Sequence, residues 1–102
     1  MTVQVTDAPE RQRYEARVEG ELVGYTEYRR QDEAIMFART FVEPAAAESA
    51  AEEALARFCL DSARKAGDQV EPADPFLAGW IERHPEYADL VHAEAAHLGE
   101  ED

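Results

Sequence analysis

The stretch Glu43–Gly67, EPAAAESAAEEALARFCLDSARKAG, decides how the rest of the chain is arranged. A helix former stands at nearly every position, which predicts one long helix. Pro44 suits a first helical residue, where its missing N–H would go unpaired in any case, and Gly67 supplies a left-handed stop. Ala51, Leu55, Phe58 and Ser62 recur at spacings of three and four, with Ala54, Cys59 and Ala66 flanking them. That stripe predicts one face packed against a sheet. Glu48, Glu52 and Glu53 place negative charge in the helix's first turns.

Strand-like segments lie on both sides of this helix. Upstream, Tyr14, Ala16 and Val18 alternate with charged residues from Arg13 onward. Glu19-Gly20 reads as a turn, Leu22 to Arg29 as a second strand, and Arg30 to Glu33 as a polar turn. Ala34 to Val42, AIMFARTFV, is a third and more apolar strand, completing an antiparallel meander. Downstream, Gln69-Val70-Glu71-Pro72 is a short fourth strand. Strand, helix, strand makes a right-handed crossover, so the fourth strand is expected parallel to the third. Asp74-Pro75 then caps a short helix, Phe76 to Arg83, and His84-Pro85-Glu86 opens another running to about Leu98. The expected fold class is α+β: a three-stranded meander, a long crossover helix, a short parallel fourth strand and two short C-terminal helices. Residues 1–10 read as a flexible leader, 11–98 as a single domain and 99–102 as an acidic tail.

Bulk composition narrows the function. The chain has 102 residues, enough for one domain with a single core. Its formal net charge of -13, from 23 acidic against 10 basic residues, opposes binding to nucleic acid and to anionic membrane. One cysteine, Cys59, allows no internal disulfide and no cysteine-based metal cluster. No apolar run nears the roughly 20 residues of a membrane helix, and MTVQVTDAPE has no secretion-signal pattern, so a cytoplasmic protein is the expectation. His92 and His97, five apart, fall on poorly matched helical faces, and His84 is assigned to the cap before Pro85. No metal site is expected. Tyr14, Tyr25, Tyr28 and Tyr87 are assigned to the sheet and core, and Cys59 to a buried, inert position.

In an open sheet, a ligand sits beyond the carboxyl ends of parallel strands, near the N-terminus of the crossover helix. Here that corner gathers Thr40 to Val42, Ala45 to Glu53, and Ala73-Asp74. With the segments in this order the chain resembles the small GNAT-type N-acetyltransferase-like family of about one hundred residues. The resemblance is carried by Phe76 to Val91, with Arg83-His84-Pro85-Glu86-Tyr87 followed by Asp89-Leu90-Val91. It extends upstream through Phe37, Thr40, Val42 and Pro44, and through Val70, Pro72, Pro75 and Phe76. It implies acyl transfer from acetyl-CoA to an amine, with strand amides around Arg39, Thr40, Phe41 and Val42 holding the pantetheine arm. The helix entry at Ser49, Ala50 and Ala51 would then meet the pyrophosphate.

The chain departs from that pattern where the chemistry would lie. Arg39-Thr40 stands for the family's histidine-threonine, Glu48-Ser49-Ala50-Ala51-Glu52 for its glycine-rich turn, and Asp74 for a cysteine it often carries. A helix N-terminus offers about half a positive charge to an anion. Glu48, Glu52 and Glu53 already occupy that field, and each carboxylate within about 6 Å of a phosphate costs on the order of 1 kcal/mol. The expectation is a non-catalytic binding or regulatory domain with no cofactor, acting on a protein partner or by self-association. The alternative is an active acyl-CoA-dependent N-acetyltransferase with an altered loop, acetyl-CoA as cofactor and Asp74 as general base. Asp74 also fits a helix N-cap. Arg11, Arg13, Arg17, Arg29, Arg30 and Arg39 concentrate positive charge in the first forty residues, as a partner-binding or solvated sheet face would.

Overall fold

The computed structural model describes residues 2–44 and 48–91, with Glu48 and Ser49 described in backbone alone. Five strands form one sheet in the order β1 (Val3–Ala8), β2 (Arg13–Val18), β3 (Glu21–Gln31), β4 (Ala34–Val42), β5 (Gln69–Pro72). The first four pair antiparallel and β5 runs parallel to β4. Helix α1 (Glu48–Ala66) makes the crossover, and α2 (Pro75–Arg83) and a 3₁₀ helix (Pro85–Leu90) follow β5. The α+β class and the parallel crossover are as the sequence predicts.

Three expectations are corrected. Val3–Ala8, expected to belong to a flexible leader, is an edge strand whose six residues all pair with β2, Val3 opposite Val18 through Ala8 opposite Arg13. The meander therefore has four strands, and the parallel strand is the fifth. Asp7 shows why the first strand belongs, because its carboxylate accepts a 2.6 Å hydrogen bond from the Tyr28 hydroxyl on β3. The helix does not begin at Pro44, which lies in a turn; its first described residue is Glu48. Its end is as expected, with Gly67 at φ +78, a conformation that costs a residue with a Cβ about 1 kcal/mol or more. The last helix does not continue to Leu98. It is a 3₁₀ helix ending at Leu90, after which Val91 turns extended and bridges to Val70 of β5. The remainder of that expected helix and the 99–102 tail lie outside the described residues.

Helix α1 packs on one face of the sheet. Ala51, Leu55, Ala56, Cys59, Leu60 and Ala63 are buried against Tyr14, Ala16, Tyr28, Ile35, Phe37 and Val70. This face is rotated from the predicted stripe: Phe58 and Ser62 are only half-buried and Ala66 is exposed. The rotation follows from a second layer beside α1, where Leu77, Trp80, Ile81, Tyr87 and Leu90 extend the same core. Tyr87 donates to Asp61 at 2.8 Å, and Arg64 forks onto the Asp89 carboxylate at 3.0 and 3.1 Å. Phe58 is left to meet Tyr14 edge-on at 5.0 Å on the other flank.

Strand alternation sends the remaining side chains to the opposite face, on which no helix packs among the described residues. β3 and β4 come unusually close near their ends. A Cβ on Gly24 would lie 2.7 Å from the Phe41 carbonyl oxygen, so only glycine permits that approach.

Asp7→Ala would leave the buried Tyr28 hydroxyl without its acceptor. It is expected to lower stability by about 1–2 kcal/mol, read as a shifted urea midpoint at unchanged slope. An unshifted midpoint would mean that the Asp7–Tyr28 hydrogen bond contributes nothing to stability.

Candidate functional site

The corner singled out by topology is formed where β4 and β5 separate. Their pairing runs from Ala34 opposite Gln69 to Phe37 opposite Pro72 and stops there. Pro72 has no N–H to extend the ladder, and the next contact turns the chain away, the Asp74 amide donating to the Phe37 carbonyl at 2.9 Å. At the same level β4 gains an extra residue. Tyr28 faces Phe37 but Glu27 faces Arg39, which leaves Ala38 as a bulge. Ala38–Val42 then continues along β3 without β5.

Backbone parity says which groups the separation exposes. The Glu43 amide donates to the Val23 carbonyl at 2.8 Å, so Glu43, and Phe41 two residues before it, turn their peptide groups toward β3. Those of Thr40 and Val42 turn the other way, to the side β5 has left. An extended ligand carrying amides could pair with them as an added strand would.

Side chains close the base of this corner. The Thr40 hydroxyl donates to Asp74 Oδ2 at 2.7 Å and lies 2.9 Å from the Thr26 hydroxyl. The same Asp74 oxygen accepts from the Leu77 amide at 3.2 Å, which is an N-cap with Pro75 at the first helical position. Asp74 is only 4% exposed and Thr26 1%. Cys59, fully buried, completes the group from α1. Burial pushes its thiol well above the usual range, a hydrogen bond with Thr26 pulls the other way, and the Asp74 charge adds to the rise. Such a thiol is a packed side chain with no nucleophilic character. Thr26 has no mark in the sequence; it enters because its cross-strand partner is Thr40.

The sequence-assigned contact residues divide between the two faces. Thr40 and Val42 point to the α1 side, Val42 half-buried over Gly24. Arg39 and Phe41 point to the open face. Arg39 donates to the Tyr25 hydroxyl at 3.0 Å and stands 3.9 Å from Glu27, while Phe41 is 44% exposed and packs on Tyr25 with centroids 5.6 Å apart. Ala50 is exposed and Ala51 is fully buried in the core. Ser49 and Glu48 lie at the start of α1, and their side chains are outside the described residues. His84 sits at the expected cap position, but its side chain makes no N-cap bond to the 3₁₀ helix; its Nδ1 lies 2.8 Å from the Trp80 carbonyl oxygen in α2 and the ring stacks on Trp80 at 3.5 Å. His92 and His97 are outside the described residues. Among those described, no cluster of His, Cys, Asp or Glu could hold a metal ion, and no helix is long and apolar enough to cross a membrane.

The open face is the other chemically marked surface. Glu15, 3% exposed, accepts from Arg13 and from Arg17 at 2.8 Å each, with Arg11 at 3.6 Å. The Arg13 hydrogen bond leads in holding its carboxyl below the ordinary range; burial opposes it, and the charges of Arg13, Arg17 and Arg11 reinforce it. Arg13 also covers the Tyr25 ring at 4.2 Å. By strand alternation the face carries Arg13, Arg17, Arg29 and Arg39 against Glu15, Glu27 and Glu71. Arg11 stands at its edge, with Glu10 at 3.2 Å. The concentration of these arginines in the first forty residues is visible in the sequence; strand pairing adds that Arg13, Arg17, Arg29 and Arg39 share one face while Arg30, opposite Ile35, does not.

A family model described as GCN5-related N-acetyl-transferase matches residues 13–90. Comparison with curated proteins gave no match.

Two measurements check this geometry. Cys59 is expected to react with Ellman's reagent at least about a hundredfold more slowly in the native protein than in urea. A fast native reaction would place the thiol at the surface. Glu15 has a lower pKa folded than unfolded, so its stabilisation is complete above the unfolded value of about 4.3 and is lost as pH falls through the folded one. Urea titrations from pH 6 down to about pH 2 should therefore show an acid loss of stability that Glu15→Gln reduces.

Proposed function

The chain belongs to the GCN5-related N-acetyltransferase family, and from that membership we propose a domain that has exchanged ordinary acetyl-CoA-dependent transfer for binding. The observation that carries this reading is the commitment of Asp74. Its Oδ2 caps α2 and receives Thr40, inside a corner closed to solvent, which is a poor setting for a base that must reach an incoming amine. The entry of α1 supports the same reading. Glu48 is the first described helical residue, Glu52 and Glu53 follow within a turn or so, and no glycine lies between Glu43 and Ala66. A pyrophosphate would meet carboxylates where it needs bare amides.

One observation favours a second reading, an active acyl-CoA-dependent N-acetyltransferase. β4 still parts from β5 and still turns the peptide groups of Thr40 and Val42 into the opening, which suits the amide-bearing pantetheine arm of acetyl-CoA. In that reading Asp74 is the base, and Arg39, held on the open face by Tyr25, would have to turn to reach the phosphates.

Isothermal titration with acetyl-CoA and with free CoA separates the two. The binding reading expects no heat and no thermal shift at about millimolar ligand; a low-micromolar dissociation constant overturns it. Asp74→Asn and Asp74→Ala then distinguish cap from base. A cap predicts that alanine lowers stability by about 1–2 kcal/mol while asparagine, still an acceptor, keeps most of it. A base predicts that asparagine abolishes transfer to amines at an unchanged melting temperature.

A further inference from the structure

We propose that the open face of the sheet is a docking surface for an acidic protein segment that carries apolar residues between its carboxylates. The inference deepens the binding reading above and rests on it for the existence of a partner. Its grounds are the charge and the composition of the face. Leu22, 37% exposed, and Phe41, 44% exposed, are the two exposed large hydrophobics among the described residues. Both lie on this face, at either side of Tyr25. Around them stand Arg11, Arg13 and Arg17, which share the buried Glu15 carboxylate, Arg11 also meeting the exposed Glu10 at 3.2 Å. Half of the chain's ten basic residues lie on or beside this face, in a protein of net charge -13.

Aromatic rings and arginines held in fixed positions are the side chains that concentrate binding energy at interfaces. Here they are already ordered, Arg13 by Glu15 and Tyr25, and Tyr25 by Phe41 and Arg39. An incoming segment would therefore lose less entropy on their side of the contact. Its carboxylates would meet the guanidinium edges left free by Glu15, and its apolar side chains would cover Leu22 and Phe41.

The same charges argue against other occupants. A second copy docking by the same face would set arginine on arginine. A copy docking by its acidic helix side would make a head-to-tail contact that closes only in a ring. A nucleic acid would meet the cations of this face but also the field of the whole acidic molecule.

The test uses the full chain and a fluorescein-labelled peptide alternating glutamate with leucine and phenylalanine. Controls are the same peptide with lysine for glutamate and a labelled oligothymidine. The glutamate peptide is expected to bind at least about tenfold more tightly than the lysine peptide, and to weaken with salt. Its titration should shift the backbone amide resonances of Arg13 and Tyr25. Arg17→Ala with Leu22→Ser should weaken it by about tenfold. If the double variant melts early, Leu22→Asp alone, at an exposed position, serves in its place. Equal binding of the two peptides, shifts confined to the α1 and α2 side, or tighter binding of oligothymidine would overturn the proposal. So would a wild-type dimer that these substitutions dissociate, since the occupant would then be a second copy. None of these outcomes depends on acetyl-CoA: coenzyme A binding without peptide binding retires this surface alone, and peptide binding with coenzyme A binding retires only the claim that transfer was lost.

Discussion

The parting of β4 from β5 after Phe37 and Pro72 is held by a single carboxylate and its backbone. The Asp74 amide closes the last rung on Phe37, its side chain starts α2, and Thr40 ties the same oxygen to the free part of β4. A buried carboxylate is costly unless its acceptor positions are used. Here that cost is offset by charge-assisted hydrogen bonds from an amide and a hydroxyl. The bonds set where the sheet opens, where α2 begins and how close the helical layer comes to the strands. Thr26 and Cys59 pack behind this carboxylate, so the corner is polar in composition but closed.

Two consequences follow for chemistry. An opening between parallel strands, with peptide groups turned into it, is a general means of holding an extended ligand that carries amides. The wall of that opening is nevertheless built from groups already satisfied by one another, and the adjacent helix entry is acidic. On the binding reading proposed above, the family fold persists because its core demands it, and Asp74 serves as structure.

The sheet's sidedness matters as much as its opening. One face meets α1, α2 and the 3₁₀ helix and is dry. The other carries Glu15 beneath its arginines, with Tyr25 and Phe41 alongside. Alternation at period two separates Thr40 from Phe41 and Arg39 from Thr40, so residues adjacent in sequence serve opposite surfaces. The Ala38 bulge shifts the phase of that alternation midway along β4, so Phe37 and Thr40, three residues apart, both face α1.

The sequence by itself determined the elements whose cause is local. Helix propensity with a terminal glycine marked α1 and its end, alternation marked β2 to β4, and Asp74-Pro75 marked the cap of α2. The order strand, helix, strand required the parallel β5. Where local and long-range forces differ, the tertiary structure decided. VQVTDA is too short and polar to declare itself a strand, and becomes one because β2 offers an edge and Tyr28 a hydroxyl for Asp7. The packing face of α1 was turned by the layer of Trp80 and Tyr87, which no periodicity within α1 encodes. Arg13 and Arg17, two residues to either side of Glu15, meet it by alternation within β2 alone. The meeting of Thr26, Thr40, Cys59 and Asp74 came only from cross-strand register and helix placement. Those contacts join residues far apart in the chain or on neighbouring strands, and their energy exists only once the sheet has closed on the helix.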